Sequence, residues 1–173
     1  MNCMTYIDFD DVIMDTYQAV FGDYQKTDAN GEFIDDILHV KNKDWNKVLK
    51  ESLIINNSID IIKSLDINKV SILTRVHSLT NEGSNKVKFL RELGVKCPII
   101  LVPYDLKKID IVPVEGNILV DDLLFNLDEW NEAGGISIFF NKNNDNKDGF
   151  GIENTKYKKV NSLEFLKDRE SMK

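Results

Sequence analysis

Five short stretches of this chain are apolar without alternating: Met4–Phe9, Val70–Thr74, Ile99–Val102, Ile118–Val120 and Ile136–Phe140. A strand with one wet face alternates, whereas a strand covered on both faces reads as a continuous apolar run. Between these runs lie helical patterns. Ser58–Leu65 places Ile59, Ile62 and Leu65 on one stripe, and Asn81–Leu93 groups Val87, Leu90 and Leu93 before Gly94. Leu123–Ala133 carries Leu127 and Trp130 and runs into Gly134-Gly135. Strands alternating with helices predict an α/β, three-layer, Rossmann-like parallel sheet of about five strands with right-handed crossovers.

One segment breaks the rhythm. Thr16 to Asn57 has no clear strand, only helical patterns near Tyr17–Phe21 and Trp45–Leu53 separated by the polar stretch Lys26–Glu32. It is long for a connection in a compact α/β domain. The expectation is a core of residues 1–15 and 58–173 with a small helical cap insertion, 16–57, over the carboxyl end of the first strand. The Asn-rich stretch Asn141–Asn154 reads as an exposed loop rather than a calcium loop, because the twelfth position would be Thr155 instead of an acid. Ser162–Arg169 reads as a short terminal helix.

At 173 residues the chain suits one compact domain. A net charge of −7 argues against a broad surface for nucleic-acid polymers but leaves room for a small phosphorylated ligand. The two cysteines, Cys3 and Cys97, form no CxxC and sit beside no histidine cluster. They read as free thiols of a reducing compartment. No stretch approaches the ~20 apolar residues that span a bilayer, and the N-terminus has no long apolar signal region. The expectation is a cytoplasmic, soluble protein with no membrane partner.

The polar residues at the strand ends carry the chemistry. Asp8 and Asp10 follow the first apolar run, Thr74 ends the second, and Asp121 and Asp122 follow the fourth, with Lys107 and Lys108 just upstream. Ligands of open parallel sheets bind beyond the carboxyl ends of the strands, so these residues should converge there. Clustered carboxylates repel, a divalent cation relieves that repulsion, and oxygen ligands favour magnesium. A lysine and a threonine hydroxyl suit phosphate oxygens.

The order of DFDDVI at 8–13, SILT at 71–74 and NILVDD at 117–122 resembles the haloacid dehalogenase (HAD) superfamily of phosphatases. The continuation LFNLDEWNEAGGISIFF is similar to the 5'(3')-deoxyribonucleotidase-like branch. The resemblance covers about residues 4–15 and 58–141. It implies a magnesium-dependent phosphatase that hydrolyses a small phosphomonoester such as a (deoxy)nucleotide. By it, Asp8 is the nucleophile and Asp10 the acid and base. Magnesium would be held by Asp8, the Asp10 carbonyl and one of Asp121 and Asp122, with Asp122 preferred. Thr74 and a lysine would bind phosphate, with Lys107 ahead of Lys108 and Arg75 facing substrate. Lys86 and Lys88 read as the solvated face of a helix, and Asp11 and Asp15 as turn and helix-start residues. His77 reads as exposed, and Trp45, Phe125 and Trp130 as packing. Asn126 reads as a brace for the loop after the Asp pair. A catalytically idle binding or regulatory domain is the alternative, disfavoured because Asp8, Asp10, Thr74 and Asp122 are all present.

Overall fold

The structure, a computed structural model, describes residues 3–22, 24, 27, 30 and 35–168. Its centre is a six-stranded parallel sheet. In chain order the strands are β1 (Thr5–Ile7), β4 (Val70–Val76), β5 (Ile99–Pro103), β6 (Ile118–Asp121), β7 (Ile136–Phe140) and β8 (Lys158–Val160). They lie in the spatial order β5-β4-β1-β6-β7-β8, so β1 sits between β4 and β6. Ile7 pairs in register with Ile72 on one side and Val120 on the other. This brings the carboxyl ends of three strands, remote in sequence, to one edge.

Both faces of the sheet are covered, as the continuous apolar runs require. Ile7, Ile72, Val120, Ile138 and Phe140 pack to one side with Ile59 and Ile62 of α4 (Ser58–Ser64) and Leu90 of α5 (Ser84–Glu92). Tyr6, Leu73, Leu119 and Phe139 pack to the other, against Leu127 and Trp130 of α6 (Leu124–Glu132). Successive strand residues feed opposite layers because the side-chain period is two. Gly94 follows α5 at φ +82°, the left-handed turn that ends a helix. Behind α6, Gly135 admits no side chain, because a Cβ there would stand 2.2 Å from Trp130 Nε1.

Several expectations change. The sheet has a sixth strand, β8, which the apolar criterion passed over because its Lys158 and Lys159 are polar at an edge. Thr74 lies inside β4 rather than at its end. The break from Thr16 to Asn57 does contain strand: β3 (Leu53–Ile54) pairs antiparallel with β2 (Met14–Asp15). Between them stand α1 (Tyr17–Phe21), α2 (Asp36–Asn42) and α3 (Trp45–Glu51). Helix α2 escaped the sequence reading; Asp35 caps it, accepting from the Ile37 and Leu38 amides. Of the polar stretch Lys26–Glu32, all but residues 27 and 30 lie outside the described residues. Val20, Val40, Trp45, Val48 and Leu49 of these helices belong to the same apolar cluster as Ile7 and Phe9. The Asn-rich segment is a largely exposed loop, as expected, but one organised around Asp148, which is buried and accepts from the Phe150 and Ile152 amides. Ser162 onward forms one 3₁₀ turn, Leu163–Leu166, and Arg169 lies outside the described residues. Among the described residues, no helix is long and apolar enough to cross a membrane.

Candidate active site

Asp8 follows β1 directly, and its amide continues the ladder by donating to Val120 O at 2.9 Å. The chain then turns tightly. The Ile13 and Met14 amides donate to Phe9 O at 2.9 and 3.1 Å, and Asp11 takes a left-handed φ of 56°. This turn aims Asp8 and Asp10 out of the same strand end. Asp121 closes β6, and Asp122 follows it.

One lysine ties the carboxylates together. Lys108 Nζ donates to Asp8 Oδ1 at 2.5 Å and to Asp121 Oδ2 at 2.6 Å, and all three side chains are buried. The 3₁₀ turn Lys108–Asp110 presents it, held by the Lys107 amide donating to Asp110 Oδ2 at 3.0 Å. Burial opposes the Lys108 charge, but Asp121 and Asp8 outweigh it and raise its pKa. Lys107, which the sequence reading put first, is not brought here. Its Nζ lies 2.6 Å from Glu129 on α6, and its side chain is 56% exposed. Adjacent residues on a turn point to different sides, and sequence spacing has no means to choose between them.

Asp121 is saturated. Besides Lys108 it accepts from the Leu123 amide at 2.9 Å and from Asn126 Nδ2 at 3.1 Å on each oxygen. Asn126 therefore braces the Asp pair. Asp122 is the least compensated member: burial first, then Asp121, Asp8 and Asp11, outweigh the pull of Lys108 and push its carboxyl well above the ordinary range. Burial likewise raises Asp8 to about 7, against the pull of Lys108. Oxygens of Asp8, Asp121 and Asp122 all lie within 4.8 Å of one another. Hard donors packed this closely, with their charge incompletely balanced, fit a divalent cation such as magnesium.

Asp10 stands apart from that cluster. Its Oδ1 accepts from Thr16 Oγ1 at 2.7 Å, and its Oδ2 from Lys86 Nζ at 2.6 Å. Lys86 is fully buried, not solvated as read from the sequence, whereas Lys88 is 69% exposed. A signal for it existed: Glu82, Lys86 and Leu90 recur at steps of four, and all three are buried. Thr74 is buried, its hydroxyl 3.4 Å from Lys86 Nζ. Arg75 turns to Tyr104, donating to its carbonyl and lying 5.0 Å from its ring centroid. His77 is not simply exposed: it stacks on Tyr104 at 4.4 Å and meets Glu82 Oε2 at 3.2 Å. Asp11 and Asp15 are more than turn residues, since both accept from Lys142, at 2.5 and 2.6 Å. Trp45 and Trp130 are core residues, but Phe125 is 39% exposed and faces Phe150 at 6.4 Å.

A cleft of 260 Å³ opens beside Asp122, lined also by Asp11, Tyr17 and Lys142. A larger cavity, 490 Å³, lies at the opposite edge by Thr5 and Val70, the first residues of β1 and β4. That edge holds none of the clustered carboxylates, so volume alone is a poor guide to the chemistry.

No protein-family model matches this chain, and no curated protein sequence matches it. Solved structures do. A HAD hydrolase of Bacillus subtilis, bound to magnesium, superposes with a TM-score of 0.59 at 16% identity, covering 98% of this chain and 99% of its own. A hydrolase from Pseudomonas syringae gives 0.62 at 11% identity, covering 99% of each chain. The D,D-heptose 1,7-bisphosphate phosphatase of Burkholderia thailandensis gives 0.57 at 13%, covering 98% and 99%. A buried parallel sheet with its carboxylates gathered at one edge is thus built here on the fold of the HAD hydrolases.

Proposed function

We propose that this chain is a magnesium-dependent phosphatase that hydrolyses a small phosphomonoester through an aspartyl-phosphate. The observation that carries the reading is the buried Asp8–Lys108–Asp121 bridge at the carboxyl edge, with Asp122 only partly offset by Lys108 beside it. The fold shared with a phosphatase and with a magnesium-bound hydrolase supports it. The (deoxy)nucleotide class is supported by the resemblance of residues 124–140 to nucleotidase-like enzymes.

Asp8 is the nucleophile: a carboxylate oxygen bonds to phosphorus as the bond to the ester oxygen breaks. Asp10 gives that oxygen its proton. Asp10 then takes a proton from the water that attacks phosphorus and frees Asp8. Lys108 spends two of its three N–H donors on Asp8 and Asp121 in the described contacts, and its third serves a phosphate oxygen. Thr74 supplies a hydroxyl to another. Lys108, not Lys107, takes this role, because only Lys108 reaches the carboxylates. Asp8 and Asp122 would hold the metal with the Asp10 carbonyl, and Asp121, already saturated, would support them. The bound cation would neutralise charge on the carboxylates and the phosphoryl group.

The test is phosphate release from a panel of phosphomonoesters, nucleotides included, with magnesium or with EDTA. Release is expected with magnesium alone and from the wild type but not from Asp8→Asn. No release from any ester would favour the idle-domain reading, and wild-type turnover in Asp8→Asn would rule out Asp8 as nucleophile.

A further inference from the structure

Lys86 is a fully buried cation outside the roles assigned above. Its Nζ lies 2.6 Å from Asp10 Oδ2, 2.7 Å from Glu82 Oε1 and 3.4 Å from Thr74 Oγ1. An ammonium has three donors, and these acceptors take all of them. Its remaining surroundings are apolar: the ring centroids of Phe9 and Trp45 stand 5.0 and 4.9 Å away. Trp45 comes from the inserted helices, so the insertion seals this lysine from water. Glu82 is equally buried, and its second oxygen accepts from the His77 amide at 2.7 Å.

We infer that Lys86 is a positioning residue that fixes the carboxylate of Asp10 for catalysis, with Glu82 anchoring it from behind. This rests on the phosphatase reading above. Lys86 has no donor left for substrate, so it acts through Asp10. Thr16 holds the other Asp10 oxygen at 2.7 Å, and the two contacts set the plane of the carboxylate. A structural ion pair needs only Lys86 and Glu82. Asp10, at 2.6 Å as close as Glu82 at 2.7 Å, lies in the site itself. A general base must stand within hydrogen-bond reach of the proton it takes, so losing this anchor weakens the step most dependent on Asp10.

The step to isolate is hydrolysis of the aspartyl-phosphate. Water oxygen bonds to phosphorus, the bond from phosphorus to Asp8 breaks, and the water proton passes to Asp10. With p-nitrophenyl phosphate and magnesium, the first step needs little help from Asp10, because nitrophenolate departs with its electron pair unprotonated. Lys86→Met keeps the length and apolar packing of the stem. Because it strands the Glu82 charge, Lys86→Met with Glu82→Gln is made alongside, removing the pair together. Both are followed by stopped-flow nitrophenolate release.

The expected result is a burst near one nitrophenolate per site, followed by steady-state turnover slowed on the order of 10²-fold. In an Asp10→Asn background, Lys86→Met should add little, since both act on one step. The proposal is overturned if burst and steady state fall together, if turnover stays at the wild-type rate, or if neither variant folds. The last result would leave Lys86 a structural role only. Failure of the phosphatase reading itself would show separately, as absence of turnover in the wild type.

Discussion

Replacing Asp8 by Asn should remove a pH dependence of stability. In the metal-free protein, burial raises this carboxyl from 3.8 to about 7; Lys108 opposes the shift, and Asp121 and Asp10 add to it. A carboxyl raised on folding binds more protons folded than unfolded between those two values. Its stabilising contribution is therefore full below the unfolded value and is lost as pH rises toward 7. Roughly three units at about 1.4 kcal/mol each bound the effect near 4 kcal/mol. From about pH 4.5 to about pH 7, on the order of 2 to 3 kcal/mol should be lost, since part of the range lies outside and Asp122 titrates with Asp8. Asn has no proton to bind, so the variant should lack this slope. Urea unfolding in EDTA across that range gives the difference between the two proteins. The slope is the readout, because Asn also weakens the contact to Lys108 and so moves the intercept. A difference that is flat, or that runs the other way, would refute Asp8 as a buried and incompletely balanced carboxylate. Saturating magnesium should flatten the wild-type slope as well.

Other substitutions divide the roles further. Asp10→Asn should slow turnover on the order of 10²–10⁴-fold while barely changing magnesium affinity, and Asp122→Asn should weaken magnesium; titrations of both variants decide it. Lys108→Met leaves Asp8 and Asp121 without their common partner and should cost about 3–5 kcal/mol in urea unfolding, whereas Lys107→Met, at an exposed pair, should change stability by less than about 1 kcal/mol and keep activity. Gly135→Ala drives a methyl into Trp130 and should cost about 1–3 kcal/mol by thermal unfolding, with wild-type stability speaking against that close approach.

Much of the architecture was legible because burial on both faces leaves a local mark. A strand such as Ile136–Phe140 must be apolar throughout, and an edge strand such as Lys158–Val160 need not be, so the first was found and the second was not. The short pairing of Met14–Asp15 with Leu53–Ile54 escaped for a similar reason: it joins segments far apart through two residues each, below any periodic signal.

The same division runs through the site. Sequence alone placed Asp8, Asp10, Thr74, Asp121 and Asp122 at one edge, because the order of a parallel sheet sends every carboxyl end the same way. It could not decide which lysine joins them. Lys107 and Lys108 are neighbours of one type, and only the turn at 108–110 sends one to Asp8 and the other to Glu129. Lys86 reads as helix surface, yet Trp45 of α3 covers it; charge predicts exposure unless acceptors are supplied. Asp10, just after β1, and Thr74, in β4, supply them, beside Glu82 one helical turn before Lys86. Local sequence determines which segments are buried; only tertiary structure decides which charges are buried with them, because the groups that compensate a charge come from elsewhere in the chain.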